Sequence, residues 1–321
     1  SLESDNGWTR MTAQRLLVER ADRKTIPALV KTAGHSEMAL ARVHSLWILD
    51  GLDALENTVL LVGLADESPR VREHAIVLAE NRLEAQEFQP AIARLAQDSD
   101  PRVRYQLAFS LGHLDTTRRQ GHLATLARQA PGDSHLRFAV MSSVLGLEAR
   151  LLDELLRDSR FLANKGSANW LNDCARLAGG NPQTREAVAV LQLALSDSQP
   201  PSRQAQLLTA LGNGLARQGQ SVAAVLDQKT TPDTTRQAAG TVFQAAVKNV
   251  SSQQAPAATR VASALLLGFA PAQLAVPALT GQLNSSQPLA VQKAAVAALA
   301  RHPAAATWTA MLDGWKGHSP G

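Results

Sequence analysis

Asp66-Glu67-Ser68-Pro69-Arg70-Val71-Arg72 is echoed 32 residues later by Asp98-Ser99-Asp100-Pro101-Arg102-Val103-Arg104. A period of this length is too long for a coiled-coil heptad and too short for a domain, so it marks a supersecondary unit used repeatedly. Asp or Ser just before proline predicts a helix start. The side-chain oxygen accepts a backbone N–H, and proline at the first helical position gives up an N–H that would have had no partner. After Pro101 the apolar residues Val103, Leu107, Leu111 and Leu114 recur every three or four positions, as do Val71, Ala75, Leu78 and Ala79 after Pro69, which is one face of a helix. A second apolar segment follows each, so the unit is a helical hairpin.

The arginine that closes the phrase recurs at its own period: Arg10, Arg42, Arg72, Arg104 and Arg137, then Trp170, Arg203, Arg236, Arg260 and Gln292. This register predicts an all-α, right-handed α-solenoid of about ten hairpins. It is read as one array over 1–321, with a soft boundary near 179–182 and a more degenerate C-terminal half. Three positions after the first markers stand Ala13, Ser45, Ala75, Leu107 and Val140, mostly small, as a tight helix crossing needs. Partner helices are expected between markers, among them 58–65, 88–96, 222–226, 241–250, 276–283 and 305–315. Pro27, Pro90 and Pro277 are expected in the first turns of three of these partner helices, where proline is tolerated. Gly212-Asn213-Gly214 reads as a turn between helical segments.

Aromatic residues make up only 4% of the chain, and an Ala- and Leu-rich composition favours close-packed helices. Residues 1–160 carry 20 Lys/Arg against 22 Asp/Glu, whereas 161–321 carry 12 against 6. This forms no basic stripe of the kind a nucleic-acid binder shows. Cys174 is the single cysteine; it permits no intrachain disulfide and no Cys-x-x-Cys-His haem attachment, and is expected to be a buried small hydrophobe. No run of 18 apolar residues predicts a membrane span. There is no His-Glu-x-x-His, no phosphate-binding glycine loop and no nucleophile elbow. No catalytic residue, metal or cofactor is assigned.

The Asp-x-x-Pro-x-Val-Arg phrase followed by a small, apolar helix resembles the HEAT repeat, specifically its bacterial phycobilisome-lyase-like subclass, and the resemblance covers nearly the whole chain. A narrower resemblance lies in Asn6-Gly7-Trp8-Thr9-Arg10, in Ala41-Arg42-Val43-His44-Ser45-Leu46-Trp47 and in Val71-Arg72-Glu73-His74-Ala75. These segments are similar to the helical part of planctomycete and verrucomicrobial multidomain proteins known as membrane-bound or sorbosone-type dehydrogenases. Those proteins place a β-propeller before the helices and a c-type cytochrome after them, and this chain shows neither signature. What the resemblance implies is a helical spacer or docking module excised from a larger exported, periplasmic protein, with neighbouring domains or another protein as its partner.

Several residues stand out as binding candidates. His44 and His74 occupy equivalent places in successive repeats. Stacked helices lie about 8–10 Å apart, too far for the two to share a metal, so they are expected to bond carbonyls of the neighbouring repeat or to lie at its edge. His44, Trp47 and Asp50 share a helical face and could form a ligand pocket. The structural alternative puts Trp47 in the core, its indole N–H on a carbonyl, with Asp50 capping the turn at Gly51. Trp170, in place of a marker arginine, is either a binding surface or a packing solution at a bend. Trp308 and Trp315, if exposed, would mark where another domain docks. The ladder Arg10, Arg42, Arg72, Arg104, Arg137, Arg203, Arg236 and Arg260 could bind phosphates or acidic peptides. Its structural role would be to bond a carbonyl or an aspartate, such as Asp66 or Asp98, of the adjacent repeat. The preferred reading is a non-catalytic protein-interaction scaffold. A DNA-binding protein of the alkylpurine-glycosylase kind and a bilin lyase are the alternatives, the first opposed by the neutral N-terminal half.

Overall fold

The computed structural model describes residues 1–302, 307–309 and 312, with Thr184 described by its backbone alone. The fold is all-α, of the α-solenoid class, with no strand among the described residues. Two compact units are present, 1–144 with 163–167, and 145–162 with 168 onward.

The first unit contains α1 (Gly7–Arg20), α2 (Ile26–His35), α3 (Ala39–Gly51), α4 (Asn57–Leu64), α5 (Pro69–Ala79), α6 (Gln89–Leu95), α7 (Pro101–Ser110), α8 (Thr116–Gln129) and α9 (Ser134–Ser142). Helices α1, α3, α5, α7 and α9 pack in succession as one row, and α2, α4 and α6 form the second. Pro69 and Pro101 open α5 and α7, and 3₁₀ turns (Glu80–Arg82, Leu111–His113) extend both. Asp100 caps α7 by accepting the Arg102 N–H at 2.8 Å. The Ser68 side chain makes no such bond; instead its backbone N–H is held by Asp66 Oδ1 at 2.8 Å. Between the rows, Leu46, Ile48, Leu60, Leu64, Ile76, Phe88 and Leu107 are completely buried. No repeat could bury its apolar face alone, so the rows stabilise each other.

The second unit contains α10 (Glu148–Leu156), α11 (Ser159–Leu162), α12 (Ser167–Gly180), α13 (Thr184–Ala194), α14 (Pro201–Arg217), α15 (Val222–Leu226), α16 (Asp233–Ser251), α17 (Ala257–Leu267), α18 (Ala272–Thr280) and α19 (Leu289–Leu299). The 179–182 stretch is the end of α12 and the short link to α13. Three sequence expectations are corrected here. The segment 241–250 is no separate helix, because nothing between Pro232 and Pro256 stops α16, which runs unbroken past Gly240. Pro271 starts α18 early, so Pro277 lies inside the helix rather than in its first turn and forfeits a bond to the carbonyl four residues back. Finally, Gly212-Asn213-Gly214 is no turn; it lies within α14. A Cβ at Gly214 would sit 2.0 Å from the Arg176 carbonyl oxygen, and one at Gly179 would sit 2.3 Å from that of Leu211. These glycines are there so that the backbones of α12 and α14 can touch. The segment expected as a helix over 305–315 falls mostly outside the described residues.

Gly214→Ala should lower stability by about 1–3 kcal/mol through overpacking at this crossing. Gly121→Ala, on α8 with open space where its Cβ would go, should raise it by about 0.5–1 kcal/mol. Urea melts of the two variants would show the opposite signs.

Candidate functional site

In the first unit the marker arginines face two ways. Arg42 Nη1 donates to the Ser36 carbonyl at 2.6 Å, while Nε and Nη2 fork onto Asp66, both at 2.7 Å. Arg72 Nη1 donates to the carbonyls of Asp66 (2.8 Å) and Glu67 (2.9 Å), and its fork holds Asp98 at 2.7 and 2.8 Å. Arg104 Nη1 then donates to the carbonyls of Asp98 (2.5 Å) and Ser99 (3.0 Å). The result is a relay, Arg42–Asp66–Arg72–Asp98–Arg104, in which each aspartate is gripped by its side chain from one repeat and by its carbonyl from the next. The Arg42 and Asp66 side chains are only 5% and 7% exposed, so their bidentate pairing offsets a large loss of hydration.

The position six residues before each marker decides whether a rung closes. It is Ser4, Ser36, Asp66, Asp98 and Pro131 in turn. Arg42 and Arg72 meet an aspartate there in the following repeat. Arg10 would meet Ser36, whose hydroxyl donates to Glu3 at 2.7 Å, and Arg104 would meet Pro131. These two arginines hold local carbonyls, and both leave Nε buried without a partner. Arg137 lies over the Phe138 ring at 5.3 Å.

In the second unit carbonyls and amides take over. Arg203 donates to Gln199 Oε1 at 3.2 Å. Arg260, 3% exposed, reaches the Val250 carbonyl (3.2 Å), Gln282 Oε1 (2.9 Å) and Gln287. Arg236 holds the carbonyls of Leu226 and Gln228 and pairs with Asp233. It sits on α16, which packs on α17 and α18, whereas α17 packs on α14. The step from Arg203 to Arg260 therefore passes over Arg236, which belongs to the other row.

The half-buried residues around His44 form a polar string along the first row. Gln14 Oε1 lies 2.6 Å from His44 Nδ1. The Trp47 indole N–H donates not to a carbonyl but to His74 Nδ1, at 3.2 Å, with the rings edge-on at 6.1 Å. Neither histidine has the expected carbonyl partner among these contacts. Burial, then the charges of Arg10 and His74, lower the His44 pKa; burial also lowers that of His74, partly opposed by Glu73. Asp50 is exposed, and the backbone rather than its carboxylate makes the turn at its carbonyl. No group of three or more metal-ligating side chains converges among the described residues.

Trp170 is completely buried, edge-on to Phe161 at 6.5 Å, and so offers no surface. Trp308 is 48% exposed; Trp315 lies outside the described residues. Cys174 is buried, and that burial pushes its thiol pKa up. Two features carry no motif in the sequence. Glu148, 1% exposed, accepts the Gly146 N–H at 2.9 Å and an Asn181 N–H at 3.3 Å, and burial raises its pKa. In addition, a groove of about 330 Å³ opens between α12, α14 and α17, walled by Asn172, Arg176, Gln206, Thr209, Asn213 and Leu265. Its only sequence signal was the Gly-Asn-Gly triplet inside an apolar helical pattern.

Residues 57–143 match the family model described as HEAT repeats. That stretch runs from α4 through α9 and includes the Arg72–Asp98 rung. Among solved structures, the chain is similar to Kap121p bound to Pho4p, at 14% identity and a TM-score of 0.47 over 93% of this chain and 40% of that one. It is also similar to Kap121p bound to Ste12p, at 13% identity and a TM-score of 0.49 over 98% and 43%. The chain thus spans about two fifths of the length of these structures. No curated protein matches, so the dehydrogenase resemblance of the first 80 residues gains no support there.

Asp98→Ala strands the Arg72 fork in a dry site and should cost about 3–5 kcal/mol; Arg104→Ala should cost clearly less. Pro131→Asp supplies the missing carboxylate and should add about 1.5 kcal/mol or more, a gain that Arg104→Ala abolishes. A double-mutant cycle by denaturant melts measures both effects. For pH, the folded-state values of His44 and His74 lie below the ordinary 6.5, so below that pH the unfolded chain binds more protons. Stability should be full above pH 6.5 and fall as the pH drops, until the folded histidines themselves titrate. Replacing both by Gln should flatten that part of the melting-temperature profile.

Proposed function

We propose that this chain is a non-catalytic protein-interaction scaffold. The observation that carries this reading is on α7 and α9. Tyr105 donates to Asp133 at 2.6 Å, and its ring lies 6.3 Å from that of His135. One helical turn further along these neighbouring helices, Phe109 and Phe138 stand 53% and 61% exposed. Large apolar side chains held in solvent on rigid helices are characteristic of docking surfaces. The repeat architecture and the family match over 57–143 support a role in recognition. The finer reading is that the scaffold serves as a docking spacer within a larger exported bacterial protein. The sequence resemblance of its first 80 residues supports that part.

Proximity labelling in the native host, comparing the chain with a Phe109→Glu/Phe138→Glu variant, tests the reading. A reproducible set of partner proteins that the variant loses is expected. An unchanged set would overturn the assignment of this surface. Retention on duplex DNA with a steep salt dependence would overturn the scaffold reading in favour of a nucleic-acid role.

A further inference from the structure

The groove between α12, α14 and α17 has a different chemistry from the exposed phenylalanines of α7 and α9. It exists because of the glycines in and near α14. Gly214 lets α12 approach, while Gly212 makes room for the Phe269 ring, which comes within 2.4 Å of where a Cβ would be. Arg301 lies over that ring, its Cζ 4.4 Å from the centroid, and its Nη2 donates to Asn213 Oδ1 at 2.8 Å. Asn213 lines the groove, and Arg301 is bonded to it. On the α12 side, Arg176 is steadied by Asp173 at 2.7 Å.

Three properties of this groove narrow its occupant. Its polar walls are Thr209, Arg176 and three amides, Asn172, Gln206 and Asn213; an amide has both a donor and an acceptor, as an extended peptide backbone requires. Its remaining lining includes alanines and Leu265, which is 37% exposed, suiting a small apolar side chain. The charged side chain in its lining is a cation, Arg176, and Arg301, bonded to the lining Asn213, spends there one N–H of the five a guanidinium has. Over residues 198–302 the chain carries eight Lys/Arg against two Asp/Glu. A single-stranded nucleic acid would share the charge but needs aromatic faces for its bases, and no aromatic side chain lines the groove. We infer that this groove is a second binding site, and that it takes an extended, acidic peptide segment with its backbone on the amides and its carboxylates at Arg176 and Arg301.

The test pans a displayed library of random dodecapeptides against the immobilised full chain and measures selected peptides by fluorescence anisotropy. Acidic sequences are expected. Ala262→Glu places a like charge on an exposed position of the groove wall without removing any contact, and should weaken binding about tenfold or more; Arg301→Glu should do the same. Circular dichroism melts verify that both variants fold. Binding should also weaken as salt is raised, and Phe109→Glu/Phe138→Glu should leave it unchanged. Selection of basic or neutral peptides, no enrichment at all, or acidic peptides indifferent to Ala262→Glu would each overturn the inference. So would displacement of the peptides by a deoxythymidine oligonucleotide that binds the groove more tightly. Peptides lost only in the Phe109/Phe138 variant would sink this site while leaving the scaffold reading intact.

Discussion

A guanidinium that faces two ways is the interaction on which the N-terminal repeats depend. Its inner N–H groups hold the carbonyls of its own helix's leading turn, and its outer fork holds an aspartate of the following repeat. That aspartate cannot shift without disturbing the turn it shapes, because its side chain also accepts an N–H two residues on. Register between neighbouring hairpins is therefore fixed by directional bonds, which apolar packing alone would leave free to slide. The pair is costly to desolvate, and its retention fits a role in specifying one stacking geometry.

Where the aspartate is lost, the array changes its means of cohesion. At Arg10 and Arg104 the price is a buried nitrogen without a partner. Further along, Gln282 and Gln287 serve Arg260, and amides do so without burying a second charge. At the marker place taken by Trp170 no guanidinium is available, and burial of a large aromatic fills the space. Beside it, glycines bring the backbones of α12 and α14 into contact, a van der Waals solution that replaces an electrostatic one.

These substitutions have consequences at the surface. The ion-pair relay spends its charges internally, and large apolar side chains, Phe109 on α7 and Phe138 on α9, stand in solvent. In the second unit fewer acidic residues are present to neutralise the arginines, so Arg301 can rest on an aromatic ring and still present donors to solvent. The chemistry each unit exposes thus follows from how it solves its packing problem.

The repeat and its helix starts were legible in the chain because they rest on near-neighbour chemistry: proline at a first turn, a three-to-four-residue apolar period, and a recurring marker. The family match over 57–143 falls where the phrase is most regular. Legibility failed where a residue's meaning depends on something far away. Gly212-Asn213-Gly214 reads locally as a turn, yet its purpose is set by Arg176, Phe269 and Arg301. Trp47 finds its partner in His74, and Arg236 changes row because α16 fails to break. The sequence by itself determined an all-helical repeat array, since periodicity and helix-start chemistry act within one turn of chain. The tertiary structure alone decided which rungs close, which aromatics stay in water and where a groove opens, since each of these depends on atoms brought together from repeats tens of residues apart.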